Sequence, residues 1–177
     1  PGLESYTGDT YHTGLWPHEG VDFTGKRVAI IGTGSSAIQS IPLIAEQADH
    51  LTVFQRTANY AVPAANRPMK PGELEAVKAE YQELRTRGKN FPTAIPVTPS
   101  GPSALAVSEE ERKRTFEEWW QDKGLMFQAA FADLMFNDDA NDTVSDFVRG
   151  KIHSIVEDPA TAAILAPKNP FGCKRMC

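Results

Sequence analysis

The sequence predicts an α/β fold in which one strand–turn–helix–strand unit, with an incomplete sheet, precedes a mostly helical region. Residues 27–31 form a short, β-branched apolar run, as in a buried parallel strand, and lead directly into a glycine-containing turn. A second short apolar run follows at 51–54. From 72 to 165 the apolar residues recur at helical spacing instead, so this region predicts helices rather than further strands.

The turn after the first strand reads Gly32-x-Gly34-x-x-Ala37 and opens a helical pattern that continues to about Ala48. Pro42 lies inside this pattern, and because proline has no backbone N–H we expect a kink there rather than an end. Strand, helix and second strand make a βαβ unit, whose crossover is right-handed. Doubly wound sheets usually have about five or six strands. We therefore expect that this chain is a piece of a longer protein.

The rest of the chain predicts helices between proline-rich loops. Ser108 followed by Glu111 is a capping-box signature at a helix start, and Pro159 stands in a first-turn position. The expected helices cover 72–87, 109–122, 125–136, 142–156 and 159–165. The expected domain organisation is an irregular lead-in over 1–25, the βαβ unit over 26–60, a helical insertion over 61–166 and a return segment over 167–177.

Composition and charge disfavour several classes of function. The formal net charge of -5 is unsuited to a nucleic-acid binder, which needs a basic face. No apolar run approaches the roughly 18 residues that cross a bilayer, and no signal peptide is visible, so we expect a cytoplasmic protein. The two cysteines, Cys173 and Cys177, are too few for a disulfide framework, and the four scattered histidines do not supply metal-ligand spacing.

The glycine turn has the context that dinucleotide binding requires, with a strand before it and a helix after it. Gly32 permits the tight turn, Gly34 lets a pyrophosphate approach the backbone, and Ala37 keeps the helix close to the strand. The N–H groups and the dipole at the helix start then hold the phosphates. We therefore predict a Rossmann-like cofactor site. Its candidate residues in and after the turn are Gly32, Thr33, Gly34, Ser35, Ser36 and Gln39.

The end of the second strand predicts which dinucleotide binds. NAD-binding folds place an acidic residue there for the ribose 2′-OH, whereas NADP-binding folds use neutral or basic residues. This chain has Arg56 and Thr57 at that point and no acid. The guanidinium of Arg56 is a planar, permanently charged partner for a 2′-phosphate. The sequence therefore favours NADP over NAD.

Other interpretations exist for these residues. The glycine turn could form without a ligand, and Arg56 could be an ordinary surface arginine. A hydrolase is disfavoured, because the nucleophile elbow requires G-x-S-x-G and the residue two after Ser36 is Ile38.

Ahead of the βαβ unit, the residues Tyr6-x-Gly8-x-x-x-His12-x-x-x-Trp16-Pro17 stand at fixed spacing. This pattern resembles the fingerprint of type I Baeyer–Villiger monooxygenases, F-x-G-x-x-x-H-x-x-x-W-P/D, with tyrosine in place of the first phenylalanine. Flavin-containing monooxygenases have a similar fingerprint that lacks the Trp-Pro ending. The resemblance extends over essentially the whole chain, including the return segment.

The resemblance implies an enzyme that uses NADPH, FAD and O2 to convert a ketone into an ester or lactone, with this chain as its NADP-binding part. The glycine fingerprint for FAD does not occur in the sequence, so the FAD-binding domain is expected outside it, as a partner. By the family's pattern, Lys174 matches a position that contacts the NADP 2′-phosphate. Arg175 matches the catalytic arginine that stabilises negative charge on oxygen. Without the family, this basic pair would indicate a solvated loop.

We interpret His12 as a linker residue that couples the two domains, not as a proton-transfer group. Trp16 and Phe54 are expected to be packing residues, and Trp119 and Trp120 to pack the insertion. Two alternative functions stay open. One is a flavin-containing monooxygenase that oxidises nitrogen or sulfur, and the other is an NADP-binding fragment without catalytic activity.

Overall fold

A computed structural model describes residues 2–91, 99 and 101–174, which divide into two compact units. The first unit ends at Ala58 and the second begins at Asn59. None of the helices in the described residues is long and apolar enough to cross a membrane.

The first unit contains the predicted βαβ arrangement. β1 (Arg27–Ile31) and β2 (His50–Phe54) pair in parallel, and α1 (Ser35–Ala45) connects them. Ile31 pairs with Phe54 at the end of the ladder, so the carboxyl ends of both strands lie at the same edge of the sheet. The predicted α/β class is thereby confirmed, with a sheet of two strands in the described residues.

The strands are less buried than the sequence predicts. Among the residues that the structure describes, Ile31 is 88% exposed and Phe54 is 56% exposed, so the expected packing of Phe54 is not formed within this unit. The physical reason is that, among the described residues, α1 is the element that packs against the sheet. The apolar side chains that α1 does not cover are therefore exposed. α1 continues past Pro42, as predicted, but ends at Ala45 rather than near Ala48.

The second unit is helical, as the hydrophobic spacing predicts. Its α-helices are α2 (Glu73–Ala79), α3 (Tyr81–Lys89), α4 (Glu109–Asp122), α5 (Asp138–Ile155) and α6 (Pro159–Leu165), and a 3-10 helix covers Gly124–Ala129. The capping prediction for α4 is confirmed, because the Ser108 hydroxyl accepts a 3.2 Å hydrogen bond from the Glu111 N–H. Asp158 caps α6 in the same way.

Three predicted helices of the second unit differ from those in the structure. The expected helix over 72–87 is interrupted at Glu80, whose backbone (φ -99°, ψ 6°) leaves the helical region. The expected helix over 125–136 is a 3-10 helix followed by turns. α5 begins at Asp138 rather than at 142, because the Asn137 side chain accepts from the Ala140 N–H and caps the helix there.

Tertiary hydrogen bonds explain why the residues after Ala129 form turns rather than a helix. The Asp133 carboxylate accepts from the Ser103 hydroxyl at 2.6 Å and from the Ala104 N–H at 2.9 Å, and the Ala132 N–H donates to the Pro102 carbonyl. Burial raises the pKa of Asp133, but these hydrogen bonds lower it by more, so it lies below its ordinary value. The carboxylate therefore fixes two distant loops together.

One aromatic-rich core fills the second unit. Trp119 and Trp120 pack against it, as predicted, together with Phe147. Within it, the Phe116 ring lies 5.4 Å from the Phe131 ring in an edge-to-face arrangement. The buried core residues are Tyr60, Val62, Ala104, Phe116, Phe127, Ala130, Phe131, Leu134, Ala140, Val144, Val148 and Phe171.

Replacing Phe116, which is only 2% exposed, tests this core. We expect Phe116→Ala to destabilise the second unit by about 3–5 kcal/mol, since it removes a buried ring and leaves a cavity. Phe136→Ala is the matched control: this ring is 82% exposed, so its loss costs within about 0.5 kcal/mol. Urea denaturation followed by tryptophan fluorescence measures both. Equal effects of the two variants would contradict the described core.

Candidate functional site

The glycine turn lies between the carboxyl end of β1 and the start of α1. Gly32 has a φ of 104°, a left-handed conformation that favours glycine, and its N–H donates a 2.8 Å hydrogen bond to the Phe54 carbonyl. Gly34 is the N-cap of α1 in an extended conformation. A Cβ atom at either glycine would meet no atom of the described residues within 4 Å. The space above the turn is therefore open to a ligand.

The first turn of α1 carries the two predicted serines. Ser35 and Ser36 are its first residues, and Gly34 provides no side-chain cap. The first turn of a helix presents N–H groups that have no partner within the helix, and its dipole is positive there. The amide of Gln39 donates to the Ser35 carbonyl at 2.8 Å, so this predicted site residue bonds to its own helix. The turn suits an anionic ligand.

Arg56 and Thr57 follow β2 and are exposed. Because Ile31 pairs with Phe54, the residues just after β2 lie at the same sheet edge as the glycine turn. Among the described residues, no carboxylate forms an ion pair with Arg56. The first unit thus brings the glycine turn and a basic side chain to one edge of the sheet.

The lead-in residues form a local structure of their own. The Nδ1 atom of His12 accepts a 3.1 Å hydrogen bond from the Gly14 N–H and caps the 3-10 helix Thr13–Leu15. A Cβ atom on Gly8 would lie 2.6 Å from the Tyr6 hydroxyl, so the Tyr6 ring occupies the space that a larger residue needs. In this unit the His12 side chain therefore has a structural role as a helix cap.

Trp16 is 38% exposed but contacts two aromatic rings, in agreement with the expected packing role. Its ring lies 5.8 Å from the Tyr11 ring and 6.1 Å from the ring of Phe23, which is buried. The Phe23 N–H donates to the Gln47 side chain just beyond α1. Pro17 follows and accepts from the Gly20 N–H in a turn. The lead-in is therefore ordered by aromatic packing and joined to the βαβ unit.

The return segment belongs to the second unit, so the predicted site residues are divided between the two units. Lys174 is half-buried, and the predicted catalytic residue, Arg175, lies outside the described residues, as does Cys177. Cys173 is a free, exposed thiol. No group of three or more metal-ligating side chains occurs in the described parts of the chain.

No predicted site residue lines a cleft between two helices in the described part of the second unit. That cleft, of about 640 Å³, lies between α4 and α5 and mixes acidic and basic side chains over Phe116 and Phe147. A smaller cleft, of about 190 Å³, adjoins the return segment and includes Asn141. Sequence reasoning missed Asn141, although a polar residue on the apolar face of α5 was a usable signal.

The chain is similar to curated monooxygenases over nearly its whole length. It is 42% identical to a Baeyer-Villiger monooxygenase of Pseudooceanicola batsensis, over 99% of this chain and 32% of that protein. It is 40% identical to cyclohexanone 1,2-monooxygenase of an Acinetobacter species, over 99% of this chain and 33% of that protein. It is 38% identical to a phenazine N-monooxygenase of Lysobacter antibioticus, over 100% of this chain and 33% of that protein. The chain thus spans about a third of the length of these relatives. No protein-family model matches it.

Solved structures agree with the sequence comparison. An oxidised steroid monooxygenase bound to NADP is 50% identical, with a TM-score of 0.87 over 99% of this chain and 34% of that one. The enzyme OTEMO in complex with FAD and NADP is 39% identical, with a TM-score of 0.91 over the same shares. By sequence and by fold, the chain is therefore similar to about one third of the length of Baeyer–Villiger monooxygenases.

Proposed function

We propose that the first unit is a Rossmann-like NADP-binding unit and that the complete protein is an FAD- and NADPH-dependent monooxygenase of the Baeyer–Villiger type. The observation that carries the proposal is the placement of the glycine turn and Arg56 at one edge of the parallel sheet. Similar structures with NADP bound support it.

The residues of the turn fit a pyrophosphate. In the part of the chain that the structure describes, no atom lies within 4 Å of a Cβ placed on Gly34, which leaves room for the phosphates to approach the backbone. Ser35 and Ser36 begin α1, where N–H groups and the helix dipole favour negative charge. We propose that Thr33 and Gln39 complete the contacts around the turn.

The residues after β2 fit the 2′-phosphate of NADP. Arg56 is exposed, and the described residues offer it no competing carboxylate. Its planar guanidinium matches a phosphate in a bidentate geometry, and Thr57 adds a hydroxyl. By resemblance, Lys174 is proposed as a second cation for this phosphate.

The proposed reaction consumes a ketone, O2, NADPH and a proton and yields an ester or lactone, NADP+ and water. One oxygen atom enters a carbon–carbon bond beside the carbonyl, and the other leaves as water. When bound, FAD would supply the oxygen activation. In this chain, Arg175 is the residue proposed to stabilise negative charge on oxygen, because a guanidinium keeps its proton.

A second candidate function is oxidation of a heteroatom. The similarity to a phenazine N-monooxygenase over the whole chain favours it, because that match is nearly as strong as those to ketone oxygenases. The residues proposed for NADP serve both reactions. The two candidates therefore differ in the substrate and not in the role of this chain.

The organisation proposed for the chain keeps the boundaries expected from the sequence. These are a fingerprint linker over 1–25, the NADP-binding unit over 26–60, the helical insertion over 61–166 and the return segment over 167–177. We propose a cytoplasmic location, with NADPH, O2, a ketone and the FAD-binding domain as partners.

The complete protein tests the proposed reaction directly. With a cyclic ketone, NADPH and ¹⁸O2, we expect one labelled atom in the ring of a lactone, since one atom of O2 is inserted and the other forms water. Mass spectrometry of the product measures this incorporation. An N-oxide or S-oxide from a heteroatom substrate, with no labelled ester from any ketone, would favour the second candidate.

Variants of the two glycines distinguish an effect on stability from an effect on NADPH binding. Gly32→Ala places a side chain at a φ of 104° and should cost about 1–3 kcal/mol of stability. Gly34→Ala needs no backbone change, so its stability should stay within about 0.5 kcal/mol. Its methyl group enters the proposed pyrophosphate space, however, and NADPH affinity should fall at least about tenfold.

Thermal denaturation and calorimetric titration of the complete protein measure the two effects. The outcome that contradicts the proposed site is a Gly34→Ala variant that binds NADPH as tightly as the unchanged protein.

A further inference from the structure

The return segment is held to the helical unit at three points. The Arg149 side chain donates from Nε to the Pro167 carbonyl at 2.8 Å, and the Tyr60 hydroxyl donates to the Asn169 carbonyl at 2.8 Å. The third point is Phe171, which is 1% exposed and packs edge-to-face on Tyr60. The segment is therefore fixed immediately before Lys174.

Asn141 makes two further hydrogen bonds to the return segment. Its Nδ2 donates at 2.8 Å to the carbonyls of both Phe171 and Leu134. Its Oδ1 accepts from the Phe171 N–H at 2.8 Å and from the Ser145 hydroxyl at 3.1 Å. Asn141 is 7% exposed and Ser145 is fully buried. Both halves of a buried amide are thus satisfied, and one side chain holds both backbone groups of Phe171.

The attachment is close enough to Lys174 to set its position. A turn follows Phe171, in which the Cys173 N–H bonds to the Pro170 carbonyl at 3.3 Å and Gly172 adopts a φ of 81°. The Asn169 amide also donates to the Cys173 sulfur at 3.0 Å. Three peptide units of about 3.8 Å each separate the α-carbons of Phe171 and Lys174. The backbone at Lys174 therefore depends on the backbone at Phe171.

We propose that Asn141 is a positioning residue that places Lys174 for contact with the NADP 2′-phosphate, with Ser145 supporting it. This inference rests on the proposed function, in which Lys174 is a cation for that phosphate. A hydrophobic residue at 141 could fill the volume, but it could not hold the Phe171 N–H and carbonyl at the same time. The Asn141 amide therefore fixes the position of the Phe171 backbone in addition to stabilising the second unit.

The test compares NADPH with NADH in the complete protein, because only NADPH carries the 2′-phosphate. We expect Asn141→Ala to raise the KM for NADPH about fivefold and to leave the KM for NADH and the kcat with saturating NADPH nearly unchanged. Lys174→Ala should reduce the preference for NADPH about tenfold. In the Lys174→Ala background, Asn141→Ala should not change the preference further.

Asn137→Ala is the matched control. Asn137 caps the same helix and its loss also lowers stability, but its side chain accepts from Ala140 and not from Phe171. We expect this variant to keep the preference for NADPH. If Asn141→Ala does not fold, Ser145→Ala decides the question, with an expected rise of about twofold in the KM for NADPH alone.

Equal changes for NADPH and NADH in Asn141→Ala, or an unchanged preference in Lys174→Ala, overturn the proposal. If the unchanged protein shows no preference for NADPH at all, the proposed function fails as well. A normal preference that is lost only in Lys174→Ala leaves the proposed function intact and rejects the role of Asn141.

Discussion

The parallel pairing of β1 and β2 is the constraint on which the proposed site depends. The hydrogen bond from the Gly32 N–H to the Phe54 carbonyl extends this pairing beyond the last residue of β1. It ties the first residue of the glycine turn to the end of the neighbouring strand. In an antiparallel pair the same two sequence segments would lie at opposite edges. The pairing is therefore what makes the glycine turn and Arg56 parts of one site.

The helical unit has a different physical basis. Its core of phenylalanine, tyrosine and aliphatic side chains adjoins a small buried polar cluster, Asn141 with Ser145, which holds the backbone of Phe171. Because a buried amide group without a hydrogen bond is costly, these contacts favour the observed position of the return segment.

The elements that the sequence predicts well are those with local causes. The βαβ unit follows from a short β-branched run, a glycine turn and a second strand, and the starts of α4 and α6 follow from Ser108 and Asp158 with Pro159. The interruption at Glu80 has no local marker. The turns around Asp133 depend on hydrogen bonds to Ser103 and Ala104, about thirty residues earlier. The spacing of apolar residues along the chain does not reveal such distant contacts.

The same distinction applies to the candidate site. The glycine turn and Arg56 are recognisable because short stretches of adjacent residues are enough to identify them. The polar contacts of Asn141 join α5 to the return segment across thirty positions, so they emerge only when the chain is folded. Exposure of Phe54 was likewise unpredictable, because burial of a strand depends on which elements cover it.

The most direct test of the central claim is a calorimetric titration of the complete protein and two variants with NADPH and with NADH. We predict that NADPH binds at least about tenfold more tightly than NADH and that Arg56→Ala loses most of this difference. Arg27→Ala, at the opposite end of the β1–β2 ladder, should retain it. Equal affinity for the two dinucleotides, or an Arg56→Ala variant that still prefers NADPH fully, would contradict the account.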